Sequence, residues 1–159
     1  MLWTRIVAVS AMLVLSSVAG LAGAQVMDKK VLSLDGAKKI AAAAEVEARK
    51  NNWNVVIAVV DDGGHLIYLQ RLDGTQTGSV AVAIGKAQTS AGFKRPTKAL
   101  EDAIAGGRNA ILALHAATPL EGGLPVIING QVVGAVGVSG VKSVEDAQIA
   151  KAGIDALGN

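Results

Sequence analysis

Residues 55–73 read VVIAVVDDGGHLIYLQRLD. Val55 to Val60 is a run of small and β-branched apolar residues, which favours an extended strand. It shows no polar alternation, so it is expected to be buried on both faces or central in a sheet. Asp62-Gly63-Gly64 supplies a tight turn, where glycine relieves the steric cost of positive φ. His65 to Leu72 then returns as a second strand. Its alternation puts Leu66, Tyr68, Gln70 and Leu72 on one face, and His65, Ile67, Leu69 and Arg71 on the other. His65 and Arg71 would share a side yet stand roughly 20 Å apart, at about 3.3 Å per residue.

Outward from this hairpin, the flanking segments read as helices and a second hairpin. Ser33 is a candidate N-cap, with Asp35 in the first turn of a helix reaching about Lys50. Leu34, Ala37, Ile40, Ala41, Ala44 and Ala48 give that helix a small-residue apolar face. Met27 to Leu32 is a short lead-in strand or arm. After Asp73-Gly74, a helix runs from Val80 to about Gly92. Lys86 sits there amid Ala, Val and Ile, and either snorkels or aims its ammonium at an anion. Pro96 suits the start of another helix, from Thr97 or Lys98 to about Ala105. Val126 to Ile128 and Gln131 to Val138 flank Asn129-Gly130, a strong hairpin signal. Ser143, with Asp146 three residues on, reads as a capping box opening a last helix to about Leu157. This order implies an antiparallel sheet with helices packed on it, an α+β domain rather than alternating βαβ units.

The N-terminal residues have a different character. Arg5, the apolar run Ile6 to Ala19 and the small residues Ala22-Gly23-Ala24 match the three parts of a secretory signal peptide. The competing reading, a membrane anchor, is served poorly by a short apolar run with no basic cluster after it. Residues 1–24 are therefore expected to be a signal peptide and 25–159 one domain, periplasmic or secreted, with no stable membrane insertion after cleavage. The chain carries 15 basic and 13 acidic residues, a balance that disfavours nucleic-acid binding. It has no cysteine, which excludes thiolate metal sites and leaves core packing or oligomerisation to stabilise an exported domain.

Familiar catalytic motifs fail on spacing. Gly85-Lys86 lacks the earlier glycine and the following Ser/Thr of a phosphate-binding loop. Gly134, Gly137 and Gly140 are spaced three and three, unlike a dinucleotide fingerprint. No G-x-S-x-G elbow supports a serine triad. His115 ends an apolar segment, where a helix C-terminus welcomes it structurally. His65 could ligate a metal or haem, or simply bond nearby backbone at a turn. Arg71 and Asp73 mark a strand end. Glu121-Gly122-Gly123 is a loop whose glycines permit close approach of a ligand.

Three separated segments, VVDDGGHLIYLQRLDGTQTGS, IGKAQTSAGFKRPT and PLEGGLPVIINGQVVGAVGVSG, resemble in order the signatures of the GlcG/HbpS haem-binding family. The C-terminal domain of PduO-type corrinoid adenosyltransferases belongs to the same group. The resemblance covers about Leu34 to Leu157. It implies a profilin-like α/β sandwich, with an antiparallel sheet of about five strands flanked by helices. It also implies homo-oligomers, and haem or tetrapyrrole binding in some members. The motif positions it carries over are Asp61, Gly64, His65, Arg71, Asp73, Lys86, Thr89, Glu121, Gly122 and Gly123. The leading expectation is an exported oligomeric binder of haem or a similar anionic ligand. Arg71 and Lys86 would meet its propionates, with His65 or a hydroxyl at the iron. The arginine end, with Lys86 and Glu121, carries more weight in this reading than His65 alone. An enzyme of small organic acids or aromatic metabolites, with Glu121 or His65 as acid/base, is the first alternative. A structural oligomer without a ligand site is the second.

Overall fold

The computed structural model describes residues 27–158, so the signal-peptide reading lies outside the described residues. Helix α1 spans Leu34–Lys50, strands β1 and β2 span Val56–Asp61 and Leu66–Arg71, and helices α2 and α3 span Ser79–Phe93 and Lys98–Ala105. A short 3-10 turn, Asn109–Ala113, leads to β3 (Gly123–Ile128), β4 (Gln131–Ser139) and α4 (Ser143–Asp155). The strands form one antiparallel sheet in the order β2-β1-β4-β3.

The unbroken apolar run of β1 is explained by its place inside the sheet, with helices on both faces. Val55, Ile57 and Val59 join Ile40, Ala44 and Ile149 in the core under α1 and α4. Val56, Ala58 and Val60 join Ala83, Ala87 and Ala91 under α2. The alanine-rich faces of α1 and α2 let the helices lie close to the sheet, and dispersion contacts replace aromatic bulk. Ser33 caps α1, its hydroxyl accepting the Gly36 N–H at 3.1 Å. A Schellman-type turn ends it: the Asn52 N–H donates to Arg49 and the Trp53 N–H to Ala48, with Asn52 left-handed at φ 57°.

Five readings change or are narrowed. The described residues form four strands, not about five. Met27 to Leu32 is an arm rather than a strand, and the Leu32 N–H reaches the Val133 carbonyl at 3.0 Å. β3 begins at Gly123, earlier than expected, and as an edge strand it accommodates Pro125 without losing a needed donor. In β2, Tyr68 pairs with Val59 but Leu66 with Val60, so Ile67 is an extra, bulged residue. The bulge breaks the alternation: Ile67 packs with Tyr68 on the α1/α4 side and Leu69 on the α2 side. His65 and Arg71 are thus not held on one face by simple parity. At α4, the Lys142 N–H donates to Glu145 at 3.0 Å, so the reciprocal capping contact comes from Glu145 and frees Asp146 for another task.

Candidate functional site

The expected site residues fall into three places. Lys86, Thr89, Glu121, Gly122 and Gly123 gather at mid-sheet, His65 lies at the β1–β2 turn, and Arg71 and Asp73 lie at the opposite end of β2.

The mid-sheet group is a buried polar tie between α2, α4 and the 118–123 loop. The Lys86 ammonium meets the Asp146 carboxylate at 2.7 Å, and each side chain is 3% exposed. It also donates to the Val138 carbonyl at 3.0 Å. Asp146 accepts the Val141 N–H at 3.2 Å. Burial pushes the Asp146 carboxyl above its ordinary pKa, against the pull of Lys86. Gly122 sits at φ +123°, and a Cβ there would stand 2.8 Å from Lys86 Nζ and 2.9 Å from Asp146 Cβ. The glycine is therefore what lets the loop cross over the ion pair. Thr89 donates to the Gly85 carbonyl and accepts the Thr118 N–H, both at 2.7 Å. The buried Thr97 hydroxyl accepts the Gly123 N–H at 2.9 Å, and the Glu121 N–H donates to Glu101. Lys86 is thus engaged by protein groups. Its partner Asp146, and Thr97 and Thr118, were missed in the sequence. A lysine in an apolar helix needs an anion, and Asp146 lies in a helix of mixed apolar character, but no local spacing joins them.

At the far end of β2, the Arg71 guanidinium donates to the Thr75 carbonyl at 2.6 and 3.1 Å. It closes its own turn. Asp73 is exposed.

The β1–β2 turn is organised by Asp61, whose Oδ1 accepts the N–H groups of Gly63 and His65 at 2.9 and 2.8 Å. The Gln88 amide on α2 donates to the Gly64 carbonyl at 3.2 Å and fixes the turn against the helix. His65 itself is exposed, its imidazole lying near Gly63. Beside it is a hollow of about 420 Å³ lined by Gly63, Gly64, Gln88, Gly92, Phe93 and Ala116. His115 immediately precedes Ala116, so both histidines of the chain adjoin residues of this hollow. Lys94 follows Phe93 and lines a second depression of about 610 Å³ with Lys29, Lys30 and Asp62. Among the described residues no three His, Asp or Glu side chains cluster to hold a bare metal ion.

The helix-covered antiparallel sheet and the three glycine-marked motifs define a class of small α+β domains. The chain belongs to the HbpS-like family, described as haem degrading protein HbpS-like, whose model matches residues 32–155. It is 47% identical to protein GlcG of Escherichia coli K12 over 111 residues, 70% of this chain and 83% of GlcG. A crystal structure of Streptomyces reticuli HbpS, carrying two Glu-to-Asp substitutions, superposes with a TM-score of 0.78 at 32% identity, covering 84% of this chain and 92% of that one. A crystal structure of PduOC with haem matches with a TM-score of 0.73 at 26% identity, covering 80% and 96%. No helix among the described residues is long and apolar enough to cross a membrane.

A tetrapyrrole suits the turn hollow better than a bare ion would. The macrocycle brings four nitrogen ligands of its own, so one axial side chain suffices. An exposed imidazole beside a hollow with an aromatic wall and glycine backbone offers that ligand and space for a flat apolar ring. Lys94, next in the chain after the lining residue Phe93, offers a cation for its carboxylates.

Proposed function

We propose that this chain is an exported, oligomeric haem-binding protein, and that haem enters the hollow at the β1–β2 turn. His65 would be the axial ligand, with His115 its competitor, Phe93 would cover the ring, and Lys94 would pair with a propionate. This moves the ligand away from Lys86, whose charge is paired with Asp146, and from Arg71, whose guanidinium donates to the Thr75 carbonyl. The observation that carries the reading is the exposed His65 imidazole beside a hollow lined by Gly63, Gly64 and Phe93. Membership of the HbpS-like family and the haem complex of PduOC support the choice of ligand. Self-association is read from the family resemblance, and it would cover exposed apolar side chains such as Val46 and Leu112.

Hemin titration of the chain from Gln25 tests this. A saturable Soret shift is expected, with affinity falling about tenfold or more, or about 1.4 kcal/mol, in His65→Ala. A titration in which His65→Ala and His115→Ala both match the parent defeats the ligation scheme, and no Soret change at micromolar hemin defeats the ligand. The family's description as haem degrading favours a second reading, in which bound haem is also broken down. Soret loss with iron release after addition of hydrogen peroxide, against a stable band, separates the two.

A further inference from the structure

The end of the sheet opposite the His65 turn carries a hollow of about 340 Å³, lined by Arg49, Asn52, Trp53, Asn54 and Leu72. It falls at the small end of the range for small-molecule sites, about 300–1,000 Å³. We propose that it is a second binding site, for a small neutral polyhydroxylated ligand of the saccharide or polyol class.

The lining is held on rigid backbone. The Schellman-type turn after α1 fixes Asn52 and Trp53 through the Trp53 N–H to Ala48 carbonyl bond at 2.9 Å. Asn54 lies over Gly74, where a Cβ would stand 3.0 Å from Asn54 Nδ2. Gly74, at φ +81°, therefore makes room for that amide as well as turning the chain. Across the hollow, Leu72 is tied to the same segment by its N–H to the Val55 carbonyl at 3.0 Å. The backbone beneath the hollow is thus fixed, so a ligand would have to order side chains only.

The chemistry of the lining selects the ligand class. Two carboxamides offer donors and acceptors together, which match hydroxyl groups, themselves donors and acceptors. The Trp53 indole adds an apolar surface for a carbon skeleton and one further donor. Charge argues against an anion. Arg49 is neutralised by Glu45, with its NH2 2.6 Å from Oε1. The Glu45 carboxyl is held below its ordinary pKa, first by the Gln70 hydrogen bond and then by Arg49, so it stays ionised beside the site. A carboxylate would meet this balance unfavourably, whereas a neutral polyol does not.

Trp3 and Trp53 are the only tryptophans, so in the chain from Gln25 the emission of Trp53 reports directly on this hollow. That emission is titrated with a panel of neutral sugars and polyols (glucose, galactose, trehalose, inositol) and with acetate and tartrate. The expected result is a saturable change with at least one neutral member. It is expected to weaken at least tenfold in Asn54→Ala, while hemin titration of that variant is unchanged. Asn52→Gly keeps the left-handed turn while removing the second amide, and is expected to weaken binding similarly. A response that stays linear for every neutral compound, matches that of free N-acetyltryptophanamide, or saturates only with carboxylates overturns the proposal.

Discussion

Lys86→Met removes the cation of the buried pair while keeping the length of its stem. The Asp146 carboxylate would then be left 3% exposed, with the Val141 N–H at 3.2 Å as a remaining donor. Stranding one partner of a buried pair costs about 3–5 kcal/mol. The lower end is expected, about 3 kcal/mol, because burial already raises the Asp146 pKa and the orphaned group can neutralise itself by taking up a proton. For a domain of this size that is a Tm drop of about 10 °C. The double variant Lys86→Met, Asp146→Leu carries no buried charge and is expected to recover at least half of the loss, since apolar replacement of a whole pair is often near neutral. Urea unfolding of the parent, both single variants and the double variant gives the coupling energy directly. A single-variant loss under about 1 kcal/mol, or a double variant equal to the sum of the singles, refutes the assignment of Lys86 to a structural pair.

Two carboxylates are expected to respond to acid with opposite sign. Asp146 has a raised pKa in the folded state, mainly through burial. Its contribution is fully present below its unfolded pKa and lost as pH rises through the folded value, so Asp146→Asn should cost more at pH 4 than at pH 7. Glu45 is lowered, first by Gln70. Its contribution is present above the unfolded pKa and lost as pH falls, so Glu45→Gln should cost less at pH 4 than at pH 7, by the same urea assay. Gly122→Ala places a Cβ 2.8 Å from Lys86 Nζ at φ +123° and should lose about 2–4 kcal/mol by strain and overpacking, visible as a lower urea midpoint. Thr97→Val leaves the buried Gly123 N–H without the hydroxyl it donates to at 2.9 Å. A loss of about 1–3 kcal/mol is expected, with faster hydrogen exchange at that amide.

The order of elements was legible because each rests on local chemistry. The six apolar residues Val55 to Val60 declared the interior position of β1, and Asn129-Gly130 declared the second hairpin. The bulge at Ile67 was not legible, because alternation looks intact in the letters and only the β1 register reveals the extra residue. Lys86 was recognised as a cation in apolar surroundings, yet its anion stands 60 residues away in the chain, beyond any spacing rule. Glu145 shares a helix turn with Asp146, so the capping role could be read one residue off. The Arg71 bond to the Thr75 carbonyl was not legible, because a backbone acceptor leaves no trace in a sequence. The hollow beside His65 joins a turn, the end of α2 and Ala116, three segments that only the fold unites.

A chain without cysteine has no covalent cross-link between distant segments. The Lys86–Asp146 pair supplies one of another kind, fastening the middle of α2 to the first turn of α4 across 60 residues. Unlike a disulfide it needs no oxidant to form and no partner enzyme to correct it, and thiol reductants leave it intact. The same native state is therefore reachable in reducing and oxidising surroundings alike. Unfolding and refolding yields should be unchanged by dithiothreitol.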